Sequence, residues 1–462
     1  MISGPLGTVA GLYETAIDEL SHREIDGVRV GPKIVASTAT VRRAESQIRA
    51  LFNRSSVDIF PPPGPDRRDS FFAKTDDPEV SNARLYTAVA APGRSPKKIF
   101  LKAQLCIMGA AKRQYQLNKP ADKDALNPAD PYMTVLSYFS SLRELGGARR
   151  IVEDEVTNAL SRYGDRKRVG EQEGLFMNRD FRSDVVELTS RVSTAKVADT
   201  KLRLESQFNA GKGQPKPVDV ALATNMISVG LDIVRLGLML VFGQPKTSSE
   251  YIQSTSRVGR DEKRPGLVLT VLNLNRPRDR SHYERFAAYH ESFYRHVEAT
   301  SVTPFSPRAM DRALAGTLVA LARQGHSPMT PPKGAEHILS ERQQLDFVVD
   351  VLSARAENHK KFDDPNDAKE LRAHVRQRCV DLLDEWSKIV DQYRDKGTST
   401  QYQREVGEAR QLLYEFLNPD LATLHERHGK FRANRSMRDV EPEVNLWLRN
   451  LDNIALEVSE DG

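Results

Sequence analysis

Two arginines near the middle of the chain are spaced for work on a phosphate. In the stretch YIQSTSRVGR, Gln253, Arg257 and Arg260 fall at i, i+4 and i+7, which places them on one face if the segment is helical. A guanidinium presents a planar fork of donors that matches phosphate oxygens. An arginine pair beside a glutamine therefore suits binding of a phosphoryl group and stabilisation of the charge that spreads over it. Tyr251, Thr255 and Val258 fall on the opposite face, which frees the arginines from the core. A solvated face laced with ion pairs is the plainer reading of the same spacing. Gly259 weighs against it: glycine weakens a helix by roughly 1 kcal/mol relative to alanine, and a helix that ends there projects Arg260 into a cleft.

The elements around this stretch are those of a layered α/β domain. Two short apolar runs, 218–223 (VDVALA) and 236–242 (LGLMLVF), precede the arginines. Runs without alternation, bounded by Gly and polar residues, suit buried strands of a parallel sheet. Between them lies a polar loop, Thr224 to Asp232 (TNMISVGLD), in which Asp232 after Gly230 reads, taken alone, as a turn residue. Further strands are expected at 83–90, 134–139, 185–189 and 266–274, with helices at 96–116, 142–163, 196–208 and 248–260. Such alternation implies a mostly parallel sheet with helices on both faces.

On the amino-terminal side, a helix is expected at 11–25, a strand at 32–37 (PKIVAS), a small-hydroxyl loop Ser37-Thr38-Ala39-Thr40, a basic helix at 41–52 and a short strand at 57–60. By itself Ser37–Thr40 reads as helix-capping residues. The Pro-rich, charged segment that follows is a linker. Beyond 279 the pattern turns helical. The segment 281–299 carries Tyr283, Phe286, Tyr289, Phe293 and Tyr294 at helical spacing, which favours packing against the sheet over stacking on bases. The expected organisation is 1–60, a linker 61–81, a sheet domain 82–278 and a helical region 279–462.

Composition narrows the function classes. With 68 basic and 63 acidic residues the net charge is only +5 over 462 residues, so any nucleic-acid contact must come from a local basic patch. Cys106 and Cys379 lie too far apart in sequence for a disulfide framework or a zinc knuckle, which suits a reducing cytoplasm. No apolar run approaches the ~20 residues of a membrane span, and the amino terminus lacks a signal pattern. His282, His290 and His296 are not in metal-ligand spacing, so no metal site is expected.

The motifs resemble those of superfamily 2 helicases. Val220–Asp232 (VALATNMISVGLD) is similar to motif V and Gln253–Arg260 (QSTSRVGR) to motif VI. Ser37–Thr40 (STAT) falls where motif III belongs, Tyr138–Leu145 (YFSSLREL) resembles motif IV, and Glu187–Arg191 (ELTSR) resembles motif IVa. The longer segments SYFSSLRELGGARRIVEDEV, GQPKTSSEYIQSTSRVGR and SHYERFAAYHESFYRHVEATSVTPFS are similar to the large helicases of DISARM anti-phage defence systems. One departure bears on the chemistry. The sequence holds no G-x-x-x-x-G-K-[ST] phosphate loop and no acidic box. In the family, the segment around Ile2–Glu14 directly follows that box, so the chain is expected to lack most of a first RecA-like domain.

The resemblance implies a RecA-like parallel sheet flanked by helices, the second such domain of a helicase core, followed by an α-helical carboxy-terminal region. It implies ATP bound between two RecA-like domains, with Mg²⁺ held mainly by the first. Arg257 and Arg260 become arginine fingers, with Gln253 orienting the γ-phosphate or water, and Gly230 and Asp232 contacting the ribose or the cleft. Thr224, Ser140, Arg143, Thr189 and Arg191 become contacts to a nucleic-acid backbone, and Ser37 and Thr40 couple hydrolysis to strand movement. The implied partners are nucleic acid, with DNA favoured, other phage-defence subunits, and a separately encoded amino-terminal half. The alternative expectation is a non-catalytic nucleic-acid-binding or scaffolding protein.

Overall fold

Val220–Ala223 and Leu238–Phe242 form strands that are buried almost throughout, as unalternating apolar runs require when both faces of a sheet are covered. The computed structural model describes residues 4–434, apart from 38–43, 61, 63–68, 70, 73, 78–80, 82–83, 123–124, 168, 182–184, 190–191, 193, 209–213, 225–231, 299–300, 362–363, 406 and 417. In chain order the elements are α1 (Gly4–Leu20), β1 (Arg23–Ile25), β2 (Val28–Val30), α2 (Ala44–Phe52), β3 (Leu85–Val89), α3 (Pro96–Leu117), β4 (Val135–Phe139), α4 (Leu142–Ile151) and α5 (Thr157–Leu160). They continue with β5 (Val186–Leu188), α6 (Thr194–Glu205), β6 (Val220–Ala223), β7 (Leu238–Phe242), α7 (Ser248–Thr255), β8 (Leu267–Val271), α8 (Pro277–Glu284) and α9 (Phe286–Glu291). The helical region holds α10 (Pro307–Gly325), α11 (Ile338–Glu341), α12 (Asp346–Lys360), α13 (Pro365–Arg394) and the two-residue strands β9 (Thr400–Gln401) and β10 (Arg410–Gln411).

Six strands make one parallel sheet in the order β3-β8-β7-β4-β6-β5. Successive residues of a strand face opposite ways, and β4 shows it. Leu136 and Tyr138 join Tyr251, Tyr289 and Phe293 on one face. Val135 and Phe139 join Phe100, Met108 and Leu145 on the other. This is the RecA-like sheet, covered by α6, α7 and α9 on one side and by α3 and α4 on the other.

The helical region builds its own core around Leu314, Leu352, Leu383 and Trp386, and α1 contributes Val9, Leu12 and Ala16 to it. Asp18 of α1 accepts from Arg54 at 2.6 Å and from Arg355 of α12 at 3.3 Å, while Arg355 also donates to the Leu51 carbonyl at 3.0 Å. Burial pushes the Arg355 guanidinium down to about 10.

Several elements differ from expectation. The helix expected to reach Ile25 stops at Leu20, and a hairpin follows whose Asp26-Gly27 tip has positive φ at both residues. An Asp-Gly pair of that kind is a strong hairpin signal. The segments expected as strands at 32–37 and 57–60 are irregular, and Val35 is 87% exposed. Among the described residues neither has a neighbouring strand to pair with, and strand propensity alone does not hold an edge together. The single helix expected over 281–299 is broken into α8, α9 and a 3₁₀ turn at Phe293–His296, yet Tyr289 and Phe293 are core residues as its spacing requires.

Candidate functional site

The arginines sit on a turn rather than on a helix face. α7 begins well capped: Thr247 Oγ1 accepts from Glu250 N at 3.2 Å, and both carboxylate oxygens of Glu298 accept from Ser248 N at 2.8 Å. A carboxylate there complements the positive end of the helix dipole. Tyr251 and Thr255 are wholly buried, which fixes the rotation of the helix. The helix then ends at Thr255, three residues short of Val258, and the expected i, i+4, i+7 face is not formed. The chain instead turns through 256–260, with Val258 buried and its carbonyl accepting from Arg84 Nε at 2.9 Å. Gly259 adopts φ +66° and donates its N–H to the Leu236 carbonyl at 2.8 Å, just before β7.

This turn gathers charge. Arg260 Nη1 forms an ion pair with Asp232 Oδ1, and Arg260 Nε donates to the Ser256 carbonyl at 2.9 Å. Burial pushes the Arg257 guanidinium below its ordinary value, the neighbouring Arg260 charge pushes it further, and Asp232 offsets part of this. Asp232, which pairs with Arg260, is exposed and also acts electrostatically on Arg257. The arrangement fits an anion with several oxygens, which would relieve the repulsion that Arg257 experiences. Gln253, on the last turn of α7, is half-buried beside it. Among the described residues no group of three or more His, Cys, Asp or Glu stands where a metal ion could be held.

The expected nucleic-acid residues lie at the other edge of the sheet. Ser140 and Arg143 follow the carboxyl end of β4, Thr189 that of β5 and Thr224 that of β6, and these strands are neighbours in the order β4-β6-β5. Arg143 is exposed and Ser140 half-buried. Thr189 and Thr224 are buried, with Thr189 Oγ1 donating to Glu187 Oε1 at 2.6 Å. β7 separates the two groups by about 16 Å along the strand direction. Ser37 is exposed on an irregular stretch. Thr40, Arg191 and Gly230 lie outside the described residues.

A buried polar cluster around Arg235, three residues after Asp232 in sequence, was missed from sequence. Arg235 Nε donates to Asp130 Oδ2 at 2.6 Å, and its Nη1 donates to Thr134 Oγ1 at 2.9 Å. Arg179 Nη2 donates to Asp219 Oδ1 at 2.5 Å and to the Met133 carbonyl at 2.7 Å. Both guanidiniums stand 5.4 Å from the Phe208 ring. The signal was Arg235 in the middle of DIVRLGLML, since an arginine among buried residues needs an acid partner.

The family model described as helicase conserved C-terminal domain matches residues 172–262, the stretch that ends just past the arginine turn. The DISARM protein DrmA of Bacillus paralicheniformis is 36% identical over 455 residues, which is 97% of this chain and 37% of that protein. The chain therefore spans little more than a third of the length of that relative. Among solved structures, the DUF1998 helicase MrfA bound to DNA and AMPPNP overlaps 70% of this chain and 35% of its own, with a TM-score of 0.40 at 12% identity. The Mycobacterium smegmatis helicase Lhr bound to ssDNA and AMP-PNP overlaps 68% and 30%, with a TM-score of 0.37 at 11% identity. The chain is a relative of the DISARM protein DrmA and carries a stretch that matches the helicase conserved C-terminal domain.

Proposed function

We propose that this chain carries the arginine-bearing side of the ATP site of a nucleic-acid motor acting on DNA in phage defence, in the cytoplasm. The observation that supports this most is the Arg257–Arg260–Asp232 group, two cations held together on a rigid turn with one exchangeable carboxylate. Arg260 leaves Asp232 to bind a γ-phosphate oxygen, and Arg257 binds beside it. Together they neutralise the charge that builds up as water attacks the γ-phosphorus and the bond to the departing ADP breaks. Such arginines contribute about 10³–10⁵ in rate in related NTPases. Gln253 orients the phosphate or the water, and Gly230 with Asp232 lines the ribose side of the cleft. The phosphate loop, with Mg²⁺, is supplied by a domain that these 462 residues do not contain.

On the opposite sheet edge, Ser140 and Arg143 bind the phosphate backbone, and Arg191 contributes to the same binding. Buried Thr189 and Thr224 follow the neighbouring strands β5 and β6. Contacts of this kind carry little sequence preference. Ser37 and Thr40 couple hydrolysis to strand movement. Other phage-defence subunits, or a separately encoded amino-terminal half, are the natural protein partners. Arg257→Ala in an assembly that includes the phosphate-loop domain should abolish ATP turnover, and undiminished turnover would sink the reading.

A second reading, a nucleic-acid-binding or scaffolding protein without turnover, is favoured by the absence of a phosphate loop from this sequence. The two are separated by whether added phosphate-loop domain restores arginine-dependent hydrolysis.

A further inference from the structure

The carboxyl edge of the sheet carries cations that none of the helicase motifs includes. α3 starts after Ser95, whose hydroxyl accepts from Lys98 N at 3.3 Å, and Arg94, Lys97 and Lys98 are exposed around that start. Lys97 does not point away into solvent alone. A Cβ placed on Gly147 of α4 would stand 3.3 Å from Lys97 Nζ, so the ammonium lies against α4. Gly147 is four residues after Arg143, which puts Lys97 about one helical turn from the base of that arginine on the same face. The surface beside them is open, because a Cβ on Gly146 would meet nothing within 4 Å.

Among the described residues no ion pair engages Arg94, Lys97, Lys98 or Arg143. The acid nearest in sequence, Glu144, is taken by Arg276 at 3.1 Å. Like charges set side by side on an open surface repel unless an anion lies between them. A phosphodiester backbone is the anion that matches a row, as against a point.

We propose that Lys97, with Arg94 and Lys98, extends the nucleic-acid path from Ser140 and Arg143 across α4 to the start of α3. These residues bind the backbone of a single strand without reading its bases. This rests on the reading of the carboxyl edge as the nucleic-acid face, and the test separates the two. Binding of a labelled oligothymidylate to the full chain is measured by fluorescence anisotropy between about 50 and 200 mM salt. The proteins are the wild type, the triple variant Arg94→Ala/Lys97→Ala/Lys98→Ala, and a remote control, Lys369→Ala/Lys396→Ala. The triple variant should bind at least about tenfold more weakly, with the slope of log K against log salt shallower by about 2, as loss of three single-strand phosphate contacts requires. The control should match the wild type, and Lys97→Arg should retain most of the affinity. Wild-type affinity and slope in the triple variant would overturn the extension and leave the edge itself standing. No salt-dependent binding by the wild type would remove both.

Discussion

Gly259 and Gly266 cross with their backbones in contact: a Cβ on Gly259 would collide with Gly266 N, and one on Gly266 would stand 2.9 Å from Gly259 Cα. Gly259 also holds φ +66°, a region that side chains rarely adopt. The crossing pins the turn that carries Arg257 and Arg260 to the start of β8. Gly259→Ala should therefore lower stability by about 2–4 kcal/mol in urea denaturation, from strain and clash together. Gly146→Ala, inside α4 with open space around it, should be neutral or stabilising by up to about 1 kcal/mol. Equal effects of the two substitutions would contradict the crossing.

The Arg235–Asp130 pair is buried on both sides, with 9% and 4% of the side chains exposed. Arg235→Met should cost about 3–5 kcal/mol, because it leaves a carboxylate buried without its partner. Asp130→Asn in the same background should recover part of that loss. Denaturation midpoints of the three proteins check both statements.

Acid should weaken the fold through His290. Its ring is enclosed by Tyr86, Tyr251 and Phe293, with Nδ1 donating to the Phe286 carbonyl at 2.8 Å. Burial pushes its pKa below the ordinary 6.5, against the smaller upward effect of that hydrogen bond. A histidine depressed in the folded state contributes stability that is present above pH 6.5 and lost as pH falls through the folded value. His282 and His428 are depressed too, again chiefly by burial, and act in the same direction. Melting temperature should fall between pH 7.5 and 5.5, and His290→Gln should make that fall smaller.

The sheet was legible because its strands are nearly continuous apolar runs, and VALA and LMLVF identify themselves wherever they stand. The helix carrying the arginines was legible at its start, where Thr247 and Glu250 make a cap, and illegible at its end. Its stop is set by Gly259 meeting Gly266 and Leu236, contacts that exist only once β7 and β8 are in place. The pairing of Arg260 with Asp232 follows from the same closure. The segment 32–37 looked like a strand because it is apolar and follows Pro32, but a strand needs a neighbour as much as a propensity. The aromatic residues Tyr289 and Phe293 were placed in the core by spacing alone, whereas Tyr283 and Tyr294 of the same run remain 42% and 52% exposed. The run is broken at Arg285 and Ser292, and no residue type in it announces those breaks.

The most direct measurement is single-turnover ATP hydrolysis by this chain assembled with the phosphate-loop domain, in the presence of single-stranded DNA. Arg257→Ala and Arg260→Ala should each lower the rate by about 10³ or more while leaving DNA binding at the opposite sheet edge intact. Hydrolysis at the wild-type rate in both variants would contradict the assignment of the arginine turn to the ATP site.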